Sequence, residues 1–167
     1  MQGTVIRAGL RFSLPVNRSP VRPMSWRLKA DIKPVELEME EGPVIHPLAF
    51  LIGDDLVAAA CLRKIRNDEF LTGVLIRSAD GLFREKIDVN EGKIVRNVPA
   101  RWELDLIRLG TRQTTAVIRI NKNVILRING DTTSVEPDTA CVGILHKHSG
   151  LPISLHVDQL RLTETSR

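Results

Sequence analysis

The feature that most constrains this chain is an alternation of apolar and charged residues with a period of two. Trp26, Leu28, Ala30 and Ile32 alternate with Arg27, Lys29, Asp31 and Lys33. After Pro34, Val35, Leu37 and Met39 alternate with Glu36, Glu38 and Glu40. Successive side chains of an extended strand point to opposite faces, so each run predicts a half-buried antiparallel strand. Proline cannot donate to a strand ladder, and Pro34 is read as the boundary between the two runs.

The same period returns in the C-terminal half. Trp102, Leu104 and Leu106 share one face, with Arg101, Glu103 and Asp105 on the other; Ile107 and Leu109 then break the parity, which predicts a bulge. Ala116, Ile118 and Ile120 lead through Asn121-Lys122-Asn123 to Val124, Leu126 and Ile128, which reads as a hairpin followed by a second turn at Asn129-Gly130. Ile153, Leu155 and Val157 alternate, and Leu160 and Leu162 resume one position later, so a second bulge is expected near Asp158. In the middle, a helix capped by Asp54 or Asp55 and running through Ala58, Ala59, Ala60 and Arg63 competes with strands over 48–52, 56–65 and 70–78. The regular spacing of turn signals favours the strands.

The 167 residues favour one domain: an N-terminal edge strand (about 5–12) and proline-rich arm over 1–23, then a β-sandwich over 24–167. Many short strands with frequent turns and no long helix predict an all-β, antiparallel two-sheet sandwich. The net charge of +4 is too small to point to nucleic acid, and aromatics at 4% leave few rings to stack on bases or sugars, so nucleic acid is not expected as a partner. Cys61 and Cys141 lie in apolar runs and form neither a disulfide framework nor a metal motif. No secretory signal and no apolar run of membrane-spanning length is visible, so a soluble protein is expected, cytoplasmic if the chain is complete.

Three pieces, in order, resemble the concanavalin A-like, laminin G-like jelly rolls. They are Arg101-Trp102-Glu103-Leu104-Asp105-Leu106, then Val124 to Asn129-Gly130, then Gly150 through Asp158 to Leu162. The resemblance covers about the C-terminal two-thirds and implies two antiparallel sheets packed face to face. Glycosidases of this fold carry Glu-x-Asp-x-Glu on their active strand, where one carboxylate attacks the sugar and another protonates the leaving oxygen. This chain has Ile107 in the last position, so the resemblance implies a hydrolase relative lacking the full acid pair, and Glu103 and Asp105 read as the polar face of an amphipathic strand.

His146 and His148, in GILHKHSG (143–150), would share a strand face and could hold zinc together with His156, Asp158 or His46. The competing reading, a polar strand end, is preferred. Loop acids Asp54, Asp55, Asp80 and Asp131 could supply oxygens to calcium, as in lectin-like relatives, but each also suits a turn. No cofactor is therefore expected, with calcium or zinc as the alternative. Phosphate-loop and nucleophile-elbow signatures are absent. The expected function is a non-catalytic module, not an enzyme, that binds another protein or itself through a sheet face or edge. A glycan-binding lectin-like domain is the alternative.

Overall fold

A computed structural model describes residues 6–14, 23–37, 44–66, 69–88, 93–109, 113–130, 136–147 and 153–166. Among them there are strands and no helix. Sheet A joins β1 (Ile6–Ser13), β11 (Thr139–Lys147), β3 (Val44–Ile52), β4 (Asp55–Arg66), β5 (Glu69–Arg77) and β6 (Phe83–Ile87) in that order, with the short β7 (Lys93–Ile94) also paired to β5. Sheet B has the order β10 (Asn123–Gly130), β9 (Thr114–Ile120), β8 (Ala100–Arg108), β2 (Pro23–Leu37) and β12 (Ile153–Ser166). Every pairing is antiparallel.

The alternation read from the sequence is the alternation of the core. Trp26, Leu28, Ala30 and Ile32 of β2 and Trp102, Leu104 and Leu106 of β8 point inward from sheet B, joined by Ala116 and Ile118 of β9. They meet Leu48 and Phe50 of β3, Ala58, Ala60 and Leu62 of β4, and Val74 and Ile76 of β5. Complete burial of one such large apolar side chain contributes about 1.5–3 kcal/mol. The segment 54–66 is strand, not helix. Its alanines serve both faces of sheet A, with Ala58 and Ala60 in the core and Ala59 in a second buried cluster on the other side.

Several sequence expectations are corrected. Pro34 does not separate two strands but lies within β2, where a register shift against Ser154 and Leu155 of β12 makes a bulge. On its other side β2 pairs with β8 only as far as Ile32, so the missing donor of Pro34 interrupts no β8 ladder. The expected bulge at Ile107 is also absent: β8 keeps unbroken register with β2 and β9, ends at Arg108, and leaves Leu109 exposed. Gly130 is the last residue of β10, opposite Thr114, rather than the centre of a turn. A side chain there would come within 3.0 Å of Ile76 Cδ1 across the core. The proline-rich arm over 15–22 lies outside the described residues.

Candidate functional site

The two sheets turn different chemistry outward. On sheet A the outward row over β11, β3, β4 and β5 is Cys141, Ala49, Ala59 and Leu75, each directly opposite the next. With Leu51, Leu56 and Cys61 these residues form a buried apolar cluster. Cys61 and Cys141 are both buried and are not joined by a disulfide. Burial pushes the Cys61 thiol well above the usual cysteine range, which makes it a poor nucleophile.

On sheet B the outward face is charged. Arg161 of β12 is opposite Lys29 of β2, Lys29 is opposite Glu103 of β8, and Glu103 is opposite Arg119 of β9. Two residues along the strands, Arg27 is opposite Asp105. The Asp105 carboxylate accepts from Arg27 Nε at 2.6 Å and Nη2 at 3.0 Å, and also from Arg119 Nη1. Lys29 Nζ lies 3.5 Å from Glu103 Oε1. Glu103 and Asp105 are thus the polar face of their strand, but they are buried beneath the long cations around them rather than open to water. The hydrogen bond to Asp105 raises the pKa of the Arg27 guanidinium above its ordinary value.

The next pair along is bidentate. Arg101 donates from Nε to Asp31 Oδ1 at 2.7 Å and from Nη2 to Asp31 Oδ2 at 2.9 Å. The hydrogen bond from Arg101 holds the Asp31 carboxyl below the usual aspartate range, so Asp31 stays ionised and keeps the guanidinium plane in place. Arg101 Nη2 also reaches Gln159 Oε1 at 3.0 Å. Its backbone is clamped at the hairpin: Arg101 N donates to Asn121 Oδ1 at 2.9 Å, and Asn121 N donates to Arg101 O at 2.8 Å.

The expected bulge near Asp158 is present and shapes this face. Between the pairs Asp158–Asp31 and Arg161–Lys29, β12 advances one residue more than β2. Gln159 sits there with φ 49°, its N–H donating to Asp158 Oδ1 at 2.7 Å. The extra residue brings both Asp158 and Arg161 to the outer face and turns Leu160 and Leu162 toward the core. Lys29, Arg101, Gln159, Leu160 and Arg161 then line an open depression of about 390 Å³. Among the described residues Arg161 has no ion pair, so this depression carries more positive than negative charge.

The metal candidates come from both sheets. His46 lies in β3 of sheet A, His156 is exposed on β12 of sheet B, His146 belongs to β11, and His148 lies outside the described residues. Asp54 pairs with Arg11 at 2.8 Å, Asp55 lies 3.5 Å from Arg77, and Asp80 accepts from Leu82 N at 3.0 Å. Asp131 lies outside the described residues. No group of three or more His, Cys, Asp or Glu placed to hold a metal occurs among the described residues, and no helix there is long and apolar enough to cross a membrane.

No protein-family model matches the sequence. No curated protein matches it. Many solved structures do match in fold. An alginate lyase from Klebsiella pneumoniae superposes with a TM-score of 0.61 at 12% identity, over 86% of this chain and 61% of that one. An alginate lyase from Pseudomonas aeruginosa gives 0.60 at 11% identity, over 94% and 83%. The ligand-binding domain of botulinum neurotoxin serotype D, in complex with N-acetylneuraminic acid, gives 0.61 at 11% identity, over 94% of this chain and 36% of that one. The chain therefore spans about three-fifths of the Klebsiella protein and about a third of the toxin chain. These likenesses establish a jelly-roll β-sandwich.

They also overturn the expectation of a non-catalytic protein-binding or self-assembling module that is not an enzyme. That expectation rested on the absence of any recognised catalytic constellation, the glycosidase acid pair included. Elimination, the reaction of a lyase, needs no such pair, so the absence of a second carboxyl at Ile107 says nothing against it.

Proposed function

We propose that this chain is a glycan-acting β-sandwich of concanavalin A-like type whose ligand is an acidic polysaccharide, held on the outer face of sheet B. The observation that carries the reading is the convergence of Lys29, Arg101 and Arg161 on one open depression. Glu103 and Asp31 hold the first two in place, and Arg161 is left to meet an outside anion. With its Nε edge on Asp31 and Nη2 also on Gln159, the Arg101 guanidinium keeps its Nη1 donors for an outside carboxylate. The fold neighbours support the same class, because alginate and N-acetylneuraminic acid both carry carboxylates.

The same face has the parts for elimination on a uronate. Arg101 and Arg161 would neutralise the carboxylate, making the proton on the adjoining carbon more acidic. A base takes that proton, the C–H electron pair forms the new C=C bond as the bond to the glycosidic oxygen breaks, and the proton taken by the base, or one from water, passes to the leaving oxygen. His156, exposed opposite Lys33 on the same side as Lys29, is the base this reading selects. Titration of the protein with polyuronate, followed both by calorimetry and by the ultraviolet absorbance of an unsaturated product, tests it. Binding with product that is lost in His156→Ala identifies a lyase, and binding without product identifies a binding module. Absence of binding to any acidic polysaccharide overturns the proposal.

A further inference from the structure

Arg101 lines two depressions, not one. The first holds Lys29, Gln159 and Arg161. The second, of about 340 Å³, is lined by Asp31, Pro99, Ala100, Arg101, Asn121 and Lys122. We infer that Arg101 is the shared wall between two adjacent subsites, and that the ligand is a linear polyuronate whose successive carboxylates run from Arg161 over Arg101 to Lys122. This rests on the reading of sheet B as an acidic-glycan face.

The register sets the path. Arg161 is opposite Lys29, and Arg101 is opposite Asp31, one strand further and two residues along. With strands about 4.8 Å apart and a rise of about 3.3 Å per residue, Arg161 and Arg101 are separated by roughly 12 Å at Cα. Both side chains line the first depression, whereas Lys122 lines the second, so a ligand that meets Lys122 as well must span the two. Lys122 extends the line beyond Arg101, at the tip of the β9–β10 hairpin, where Asn121 and Lys122 take φ 51° and 74°. Positive φ at both central residues is what a type I′ hairpin turn requires, and Asn121 accepts it more readily than Lys122.

The ends of the path are Lys122, at a left-handed backbone position in the turn, and Arg161, two residues after the left-handed Gln159. Neither cation has an ion pair among the described residues. Gln159 accepts from Arg101 through Oε1, which leaves its amide N–H groups as donors for a sugar hydroxyl.

The test is calorimetric titration of the intact chain with oligouronates of increasing length, using wild type, Arg101→Gln, Lys122→Gln and Arg161→Gln. Affinity is expected to rise steeply once the oligomer reaches both depressions. Loss of one charged hydrogen-bonding partner lowers affinity by about tenfold, so Lys122→Gln and Arg161→Gln should each cost about that for long oligomers, and Arg101→Gln distinctly more. For the shortest oligomer that binds, one of the two end variants should have no effect. Length-independent affinity, or wild-type affinity in Lys122→Gln, overturns the two-subsite path and leaves the acidic-glycan reading standing. Tighter binding of a single-stranded oligonucleotide of matched charge overturns the polyuronate assignment. No binding of any oligouronate overturns both.

Discussion

The outer faces of the two sheets are built on the same alternation and finished in opposite ways. Across sheet A the outward row reads Arg11, Cys141, Ala49, Ala59, Leu75, Glu85, with charge only at its ends. Across sheet B the corresponding row reads Arg161, Lys29, Glu103, Arg119, with charge throughout. The small residues of sheet A form a closed apolar floor, in which an ion would have no partner. The long side chains of sheet B pair among themselves and leave cations over at the edges of the network. A period of two decides which residues face outward, and the residue types there decide whether that face can meet a charged ligand.

The comparison can be broken most severely by exchanging the chemistries. Ala59→Asp puts a carboxylate into the apolar cluster of sheet A, where Ala59 is fully buried. An unpaired buried charge costs about 3–5 kcal/mol, so denaturant titration should show the largest loss of stability for this variant. Asp105→Ala is the counterpart on sheet B. It leaves Arg27 and Arg119 facing each other without their shared carboxylate and should cost about 2–4 kcal/mol by the same measurement. If Ala59→Asp proves milder than Asp105→Ala, the sheet A face is wetter than its packing implies.

A smaller effect sharpens the account of Arg101. Asp31→Asn should lower stability less than Asp105→Ala, because Asp31 is more exposed, while weakening polyuronate binding by loosening the guanidinium. The Asp31 carboxyl is held below its ordinary value in the folded chain, so its stabilisation is fully present above the unfolded-state value of about 3.9. It is lost as pH falls through the folded-state value. Wild type and Asp31→Asn should therefore converge in stability as pH falls below that range, measured by denaturation at a series of acid pH values. Smallest of all is a kinetic difference: Cys61, buried and with its thiol pushed up, should react with alkylating reagents far more slowly in the folded than in the denatured chain.

Much of the fold was legible because strands with one buried face advertise it. The faces of β2 and β8 could be assigned residue by residue from Trp26 to Ile32 and from Trp102 to Leu106. The bulge in β12 was legible from Leu160 and Leu162, since a shifted apolar pair requires an extra residue. β4 was harder, because Ala58 and Ala59 are buried on opposite sides and the alternation disappears. Pro34 was misplaced because a proline at a bulge has the same local sequence as one that ends a strand. The break at Ile107 and Leu109 was a strand end.

The candidate site was not legible. Its cations come from β12, β2, β8 and a hairpin turn, and Arg161 joins them only because the bulge rotates it outward. No local motif records such a meeting. The Glu103–Asp105 pair drew attention as a hydrolase remnant, and its neighbours Arg27, Lys29 and Arg119 could be seen as part of the same face only once the register was known. The function was misjudged for a related reason. Protonating carboxyls and phosphate loops leave local motifs, whereas a face that grips carboxylates consists of arginine and lysine held by acids, which in sequence resembles any solvated strand.

The measurement that tests the central claim most directly is amide hydrogen exchange with and without a long polyuronate. The account predicts slowed exchange in β2, β8, β12 and the Asn121–Lys122 turn, with β3, β4 and β11 unchanged. Protection confined to β3, β4, β5 and β11 would place the ligand on sheet A and contradict it.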